Sequence, residues 1–241
     1  MPAPPDIGGN GGTSPRPRRP LLAVALLLPI PSLGGAASMW WWPDTAWGKG
    51  LYTLSKFALL AFPLLWHRHV DGGEFHLPRP RLSDLKSGVP TGLFFLLAVP
   101  VAYMWVGGDL LNTAEIAGHL RAVGLGSPLV FAAMAVYWCT ANAVLEEMVW
   151  RWFFLRQIQS FIPGRTLAIF LASAGFALHH WVVVRAWLPP VSTTVATMAV
   201  GIAGAIWCGL TLKTARILPA CFSHILADVG IVVVGAWILF A

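Results

Sequence analysis

The feature that most constrains the fold is a series of seven apolar segments, each about as long as a membrane-spanning helix. A helix rises 1.5 Å per residue, so about 20 apolar residues cross the hydrocarbon core of a bilayer. The segments cover residues 21–42, 50–66, 88–106, 128–155, 166–187, 191–212 and 217–240. We therefore predict an all-α, polytopic transmembrane helical bundle of about seven spans.

The composition excludes a soluble domain. Hydrophobic residues make up 57% of the 241 residues and charged residues only 11%, with 13 Trp and 13 Phe. This profile is typical of polytopic membrane proteins. The net charge of +6 does not indicate nucleic-acid binding, because the basic residues lie mostly between the apolar segments. We expect membrane lipids as partners and no nucleic acid, and the oligomeric state is left open.

The basic residues also predict an orientation, since Lys and Arg are enriched in cytoplasmic loops. If the N-terminus is cytoplasmic, three basic residues fall in outer segments, namely Lys49, Arg121 and Arg185. Eleven fall in inner segments: Arg16, Arg18, Arg19, Arg68, Arg79, Arg81, Lys86, Arg156, Arg165, Lys213 and Arg216. We therefore expect an integral membrane protein of a bacterial inner (plasma) membrane, with a cytoplasmic N-terminus and the C-terminus outside.

The chain divides into a tail and a membrane domain. Residues 1–20 are rich in Gly and Pro and predict a disordered, basic N-terminal tail, and residues 21–241 form the transmembrane domain. Residues 21–38 also resemble a signal peptide, but we favour an uncleaved first span because the run Trp40, Trp41 and Trp42 suits an interfacial belt. Apolar residues spaced by three and four in residues 109–123 predict a short amphipathic helix on the membrane surface.

Three charged residues lie inside the fourth segment: Glu146, Glu147 and Arg151. One charge at the centre of a membrane helix costs about 2.5–3.5 kcal/mol, and such residues usually face the bundle interior and mark function. Glu147 and Arg151 share a helix face and can pair. Glu146 points about 100° away, on the face of Asn142. We expect Glu147 to be tied to Arg151 and Glu146 to be free for chemistry; an ion pair that only joins two helices is the structural alternative.

Other ionisable residues lie in the remaining spans. The fifth segment carries His179 and His180, and because they are adjacent we expect only one to point fully inward. The seventh carries His224 and Asp228, one turn apart on one face. Each pair alone is more often structural, but together with the glutamates they indicate hydrolytic chemistry. Lys56 in the second span is predicted to extend to the membrane interface rather than line the interior.

The order of these residues resembles the CAAX protease and bacteriocin-processing family of intramembrane proteases, which includes the Ras-converting CAAX endopeptidase. The first family motif, Glu-Glu-x-x-x-Arg, matches residues 146–151. The second, Phe-x-x-x-His, matches Phe176 and His180, and the third, His-x-x-x-Asn/Asp, matches His224 and Asp228. The resemblance covers about residues 128–230. Two positions depart from the common pattern: Trp152 follows the motif arginine where Gly is usual, and Asp228 stands where many members have Asn.

The resemblance implies catalytic roles for Glu146, Glu147, Arg151, His180, His224 and Asp228. Glu146 would be the general base and His180 would position the attacking water. His224, with or without Asp228, would stabilise the oxyanion, although Asp228 instead orients His224 if it stays ionised and cannot donate. A carboxylate with two histidines also suits zinc. We favour a mechanism without a cofactor, with zinc as the alternative, since the sequence has no His-Glu-x-x-His pair.

We therefore expect an intramembrane endopeptidase that cleaves a peptide or protein tail at the membrane. The substrate could be a prenylated tail, a C-terminal sorting tail or a bacteriocin-type leader, and the sequence does not choose among them. Two other functions stay open: a catalytically idle membrane scaffold or immunity protein of the same fold, and a proton- or ion-coupled transporter. The complete set of motif residues argues against the first, and the absence of a visible internal repeat against the second.

Overall fold

The structure, a computed structural model, describes residues 15–76 and 78–241. These residues form helices and connecting loops, with no strand among them. The helices are α1 (Pro20–Trp41), α2 (Ala46–Trp66), α3 (Leu82–Leu110), α4 (Thr113–Ala122), α5 (Pro128–Gln159), α6 (Arg165–Val184), α7 (Pro190–Thr214) and α8 (Leu218–Phe240). The all-α prediction is confirmed.

Each of the seven predicted spans is a helix, and α4 is the short helix predicted between the third and fourth spans. Six of the helices are long and apolar enough to cross a membrane: α1, α3, α5, α6, α7 and α8. Helix α2 is 21 residues long but is not among them. Its first half carries Lys49 and Lys56 among small and polar residues, which lowers its hydropathy.

Helix α3 starts six residues before the predicted third span because Asp84 provides its first turn with hydrogen bonds. The Arg81 backbone N–H donates to Asp84 Oδ2 at 2.9 Å, which caps the helix. Arg216, after α7, donates through Nε to Asp84 Oδ1 at 2.7 Å. This buried ion pair joins the start of α3 to the connection between α7 and α8.

Helices α3 and α8 pack closely because glycines line their contact. A Cβ added to Gly88 would lie 2.2 Å from the carbonyl oxygen of Pro219, and one added to Gly92 would lie 2.7 Å from Leu226. On α8, a Cβ at Gly230 would meet the backbone of Leu96 at 3.1 Å. Small residues at such contacts allow membrane helices to approach closely. This packing fixes α8, which carries two of the predicted site residues.

The second half of helix α5 is enclosed by other parts of the bundle. Every side chain from Met148 to Leu155 is buried, including Arg151. The helix contains two π-helical turns, Trp138–Asn142 and Met148–Phe154, and the two glutamates lie on the α-helical turn between them. Widened turns of this kind are frequent at functional sites.

The end of the predicted N-terminal tail contacts the helical domain. Residues 1–14 of that tail lie outside the described residues. The Arg18 backbone N–H donates to Asp71 Oδ1 at 2.8 Å, and Arg156 donates to the Pro15 carbonyl oxygen. Asp71 also accepts from Gln157 Nε2 at 3.1 Å. Pro15 and Arg18 therefore contact α5 and the π-helical turn His67–Asp71 that follows α2.

Candidate active site

Glu146 lies between two histidines that come from different helices. Its Oε2 atom is 4.0 Å from Nε2 of His180 on α6 and 3.9 Å from Nε2 of His224 on α8. Both distances are longer than a direct hydrogen bond, and polar groups at such separations are commonly bridged by water. The Glu146 side chain is only 12% exposed. Three helices therefore enclose a small polar site inside the bundle.

The orientation of His180 is fixed by the backbone of its own helix. His180 Nδ1 lies 2.9 Å from the carbonyl oxygen of Phe176. A carbonyl only accepts, so Nδ1 is the donor and carries a proton. In the neutral ring, Nε2 then presents its lone pair toward Glu146. The Phe176 ring packs on the His180 ring with centroids 4.5 Å apart. Phe176 therefore holds His180 in place through both its carbonyl oxygen and its side chain.

His224 is held on one edge and on one face. Its Nδ1 atom is 2.8 Å from Oε1 of Glu147, and its ring stacks on Trp207 with centroids 4.0 Å apart and an angle of 18° between the planes. Its Nε2 atom faces Glu146 and lies 3.6 Å from Oδ1 of Asp228. The residue that hydrogen-bonds Nδ1 is therefore Glu147, and Asp228 lies on the side of the ring that faces the site.

Glu147 interacts with two cationic or donor groups rather than one. Its Oε1 atom is 2.9 Å from Nη1 of Arg151, and both side chains are at most 1% exposed. The Arg151 guanidinium lies over the rings of Phe176 and Trp207, at 4.3 and 5.0 Å from their centroids. The predicted pair of Glu147 and Arg151 is present. Glu147 also hydrogen-bonds His224 on α8, a contact that nothing in the sequence indicated.

Glu146 is not paired with Arg151, but one of its two oxygens accepts a hydrogen bond. Asn142, one turn earlier on α5, donates through Nδ2 to Glu146 Oε1 at 2.9 Å. Lys56 on α2 donates through Nζ to Asn142 Oδ1 at 3.0 Å. The prediction that Lys56 extends to the membrane interface is therefore wrong, because its ammonium group points into the bundle. The i, i+4 spacing of Asn142 and Glu146 could have indicated the first bond, but nothing local indicated the second.

Both adjacent histidines of α6 face the site, although we expected only one to do so. His179 is buried and stacks on Trp150, with centroids 5.2 Å apart and planes 8° apart. Glu146, His179 and His180 each offer a metal-ligand atom, and these atoms lie within 4.8 Å of one another. Both imidazole rings therefore lie near the Glu146 carboxylate.

This cluster has the donor set that zinc accepts. Three protein ligands of the His and carboxylate type, with one position left for water, are typical of catalytic zinc sites. His179 Nδ1 is buried and has no hydrogen-bond partner among the described residues. Glu146, His179 and His180 are therefore the residues that would hold the metal, and a bound zinc would polarise the water beside Glu146.

The structure brings together all the motif residues that the sequence singled out. They form one cluster through the contacts described above: Glu146, Glu147, Arg151, Phe176, His180, His224 and Asp228. Four further members were not among the predicted site residues: Lys56, Asn142, His179 and Trp207. Such an arrangement can hold a water beside a carboxylate and surround a developing negative charge with imidazole groups.

A comparison with known protein families supports this interpretation of the motifs. No curated protein and no solved structure gives a significant match to the chain. The six long apolar helices, together with one match to a family model, indicate an integral membrane protein. The family match spans residues 128–230, a range that contains the glutamate pair and the histidines of α6 and α8. Residues 128–230 match the model of the type II CAAX prenyl endopeptidase family described as Rce1-like, which confirms the resemblance carried by the three motifs.

Proposed function

We propose that this protein is an intramembrane endopeptidase in which Glu146 activates a water molecule. The observation that carries the proposal is the position of Glu146 Oε2, 4.0 Å from His180 Nε2 and 3.9 Å from His224 Nε2. A water in this space can contact the carboxylate and both imidazoles. A structural ion pair alone does not require two histidines from separate helices around an otherwise unpaired carboxylate oxygen.

The proposed reaction is hydrolysis of a peptide bond. Glu146 Oε2 accepts a proton from the water while the water oxygen forms a bond to the carbonyl carbon, with His180 holding the water in place. The carbonyl oxygen gains the negative charge and is stabilised by His224 Nε2 in the protonated form of that ring. Glu146 then gives its proton to the amide nitrogen as the C–N bond breaks. The products are a carboxylic acid and an amine, which become a carboxylate and an ammonium by proton transfer, and Glu146 returns to its starting state.

The proposed substrate is a peptide tail or leader that is associated with the membrane. The site lies on three helices that are each long and apolar enough to cross a bilayer, and its side chains are largely buried in the bundle. A substrate held at the membrane reaches such a site more readily than a soluble one. A prenylated C-terminal tail, a C-terminal sorting tail and a bacteriocin-type leader each have this property, and the family match supports testing a prenylated tail first.

We propose that the water is activated without a metal, with zinc held by Glu146, His179 and His180 as the alternative. In the metal-free form, His179 would contribute only packing against Trp150. The two forms differ in the expected effect of a chelator and of His179→Ala. Cleavage that survives both supports the metal-free mechanism, whereas loss in both, restored by zinc only in the chelated wild type, supports the metal.

The test is a cleavage assay in proteoliposomes with three peptides: a farnesylated C-terminal peptide, a sorting-tail peptide and a leader peptide. Wild type should cleave at least one of them, and Glu146→Ala should lose about 10² to 10⁴ in rate, the usual contribution of general-base catalysis. Glu74→Ala is the control, since Glu74 is an exposed carboxylate in the loop between α2 and α3. Cleavage by Glu146→Ala at the wild-type rate would refute the proposal.

A further inference from the structure

Lys56 and Asn142 form a hydrogen-bonded chain that ends on the proposed general base. Lys56 Nζ donates to Asn142 Oδ1 at 3.0 Å, and Asn142 Nδ2 donates to Glu146 Oε1 at 2.9 Å. Asn142 and Glu146 are one turn apart on α5, whereas Lys56 comes from α2. Lys56 lies outside residues 128–230, the range that matches the family model. A residue from the first half of the chain therefore also contributes to the site.

The chemistry of the three groups allows only one arrangement of the amide. An ammonium group can only donate hydrogen bonds, and an ionised carboxylate can only accept them. The amide between them must therefore present its oxygen to Lys56 and its nitrogen to Glu146. Without Lys56, the Asn142 oxygen would lose its donor and the amide would be held only by its bond to Glu146.

Because Asn142 bonds only one oxygen of Glu146, the two carboxylate oxygens have different contacts. Oε1 accepts from Asn142, while Oε2 is the oxygen nearest to both His180 and His224. A carboxylate held by one oxygen cannot rotate freely, so the other oxygen keeps its position between the two imidazoles. Holding a reacting group in place in this way can account for up to about 100-fold in rate.

We propose that Lys56 and Asn142 are positioning residues that orient Glu146, with Lys56 acting through the Asn142 amide. This inference rests on the proposed function of Glu146 as the base. It extends that function by making α2 a necessary part of the site. Lys56 also brings a positive charge near Glu146, which has no arginine at helical spacing, whereas Glu147 has Arg151.

The kinetic test is a double-mutant cycle with Lys56→Met and Asn142→Leu, which remove the ammonium and the amide at similar volume. Each single variant should lower kcat by about 10- to 100-fold with little change in KM. The double variant should be no slower than Asn142→Leu, because Lys56 acts through that residue. Lys56→Arg should recover much of the rate, since a guanidinium can still donate to Asn142 Oδ1. A wild-type kcat in both single variants, or additive losses in the double variant, would overturn the proposal.

A second measurement does not depend on cleavage. A hydrophobic carbodiimide modifies protonated carboxyl groups, and peptide mapping reports each modified residue. At neutral pH, Glu146 should be modified faster in Lys56→Met and Asn142→Leu than in wild type, because both changes remove support for the ionised form. Glu147, bonded to Arg151 and His224, should be unchanged and serves as the internal control. If no peptide is cleaved but Glu146 labelling changes as expected, the proposed function fails while the positioning contact stands; unchanged labelling rejects the contact itself.

Discussion

Glu147 on α5 and His224 on α8 are joined by a 2.8 Å hydrogen bond between Oε1 and Nδ1. The same oxygen is 2.9 Å from Nη1 of Arg151, so one carboxylate fixes both a buried cation and a histidine of the site. The imidazole can therefore present Nε2 to Glu146 in one orientation only. Stability of the bundle and geometry of the site depend on the same side chain.

Glu147→Gln should reduce both stability and activity. The substitution removes the negative charge beside a fully buried guanidinium, and breaking a buried ion pair on one side costs about 3–5 kcal/mol. The amide can also turn its nitrogen toward His224 Nδ1 and displace the ring. We expect a lower unfolding midpoint in detergent and a large loss of cleavage relative to wild type.

The matched control for this prediction is Glu146→Gln, which changes the neighbouring carboxylate in the same way. Glu146 has no arginine partner at helical spacing, so the stability of this variant should stay close to that of wild type. The double variant Glu147→Gln/Arg151→Met should recover part of the lost stability, because it removes the unpaired charge as well. Equal unfolding midpoints for Glu147→Gln and Glu146→Gln would contradict the prediction that only Glu147 stabilises the buried Arg151.

Substitution by alanine should lower the stability of the protein at one glycine of α3 and raise it at another. At Gly88 the new Cβ would lie 2.2 Å from the backbone oxygen of Pro219, which cannot move away easily, and overpacking of this kind costs about 1–3 kcal/mol. At Gly108 a Cβ would meet no atom within 4 Å, so Gly108→Ala should stabilise by up to about 1 kcal/mol through helix propensity. Thermal unfolding in detergent compares the two, and a raised midpoint for Gly88→Ala would disprove the close α3–α8 contact.

The number of spans and their direction can be tested by cysteine labelling from outside the cell. The native cysteines, Cys139, Cys208 and Cys221, are buried, so their background should be low. We predict that an impermeant maleimide labels cysteines placed at Asp44 and Ala241 but not one placed at Glu74. Permeabilised cells, in which all three should react, are the control. Equal labelling at Asp44 and Glu74 in intact cells would mean that α2 does not cross the membrane.

The helices could be predicted from the sequence because apolar segment length is a local property. The helix starts were less accurate where a tertiary contact decides them, as at Leu82, where Asp84 is both a cap and the partner of Arg216. In helix α2, hydropathy did not predict where the Lys56 side chain lies. Lys56 was assigned to the membrane interface because nothing in the sequence places Asn142 beside it.

The motif residues of the site could be predicted because their spacing is local and resembles a family pattern. The residues that support them could not, since each acts across a helix contact. Trp207 on α7 stacks on His224, yet the chain has 13 tryptophans and no local feature distinguishes this one. The Phe-x-x-x-His motif selects His180 and not His179, yet each of these histidines offers a ligand atom within 4.8 Å of a Glu146 oxygen.

Asp228→Asn tests what the third motif contributes. Because Glu147 already holds His224 Nδ1, the orientation of the ring should survive the loss of the Asp228 charge. Asp228 Oδ1 is 3.6 Å from His224 Nε2, on the side where the oxyanion would form. An amide can donate to an oxyanion, whereas an ionised carboxylate can only accept and would oppose the developing charge.

We therefore expect Asp228→Asn to keep or raise single-turnover cleavage, by at most the roughly 10²-fold that one oxyanion donor contributes. Asp228→Ala is the matched variant, since it removes the charge without adding a donor. If the amide donates, Asn should be faster than Ala; if only the charge matters, the two should be equal. Rates should be compared at matched amounts of folded membrane protein. A sharp loss in Asp228→Asn with unchanged unfolding would instead make Asp228 the residue that orients His224, in place of Glu147.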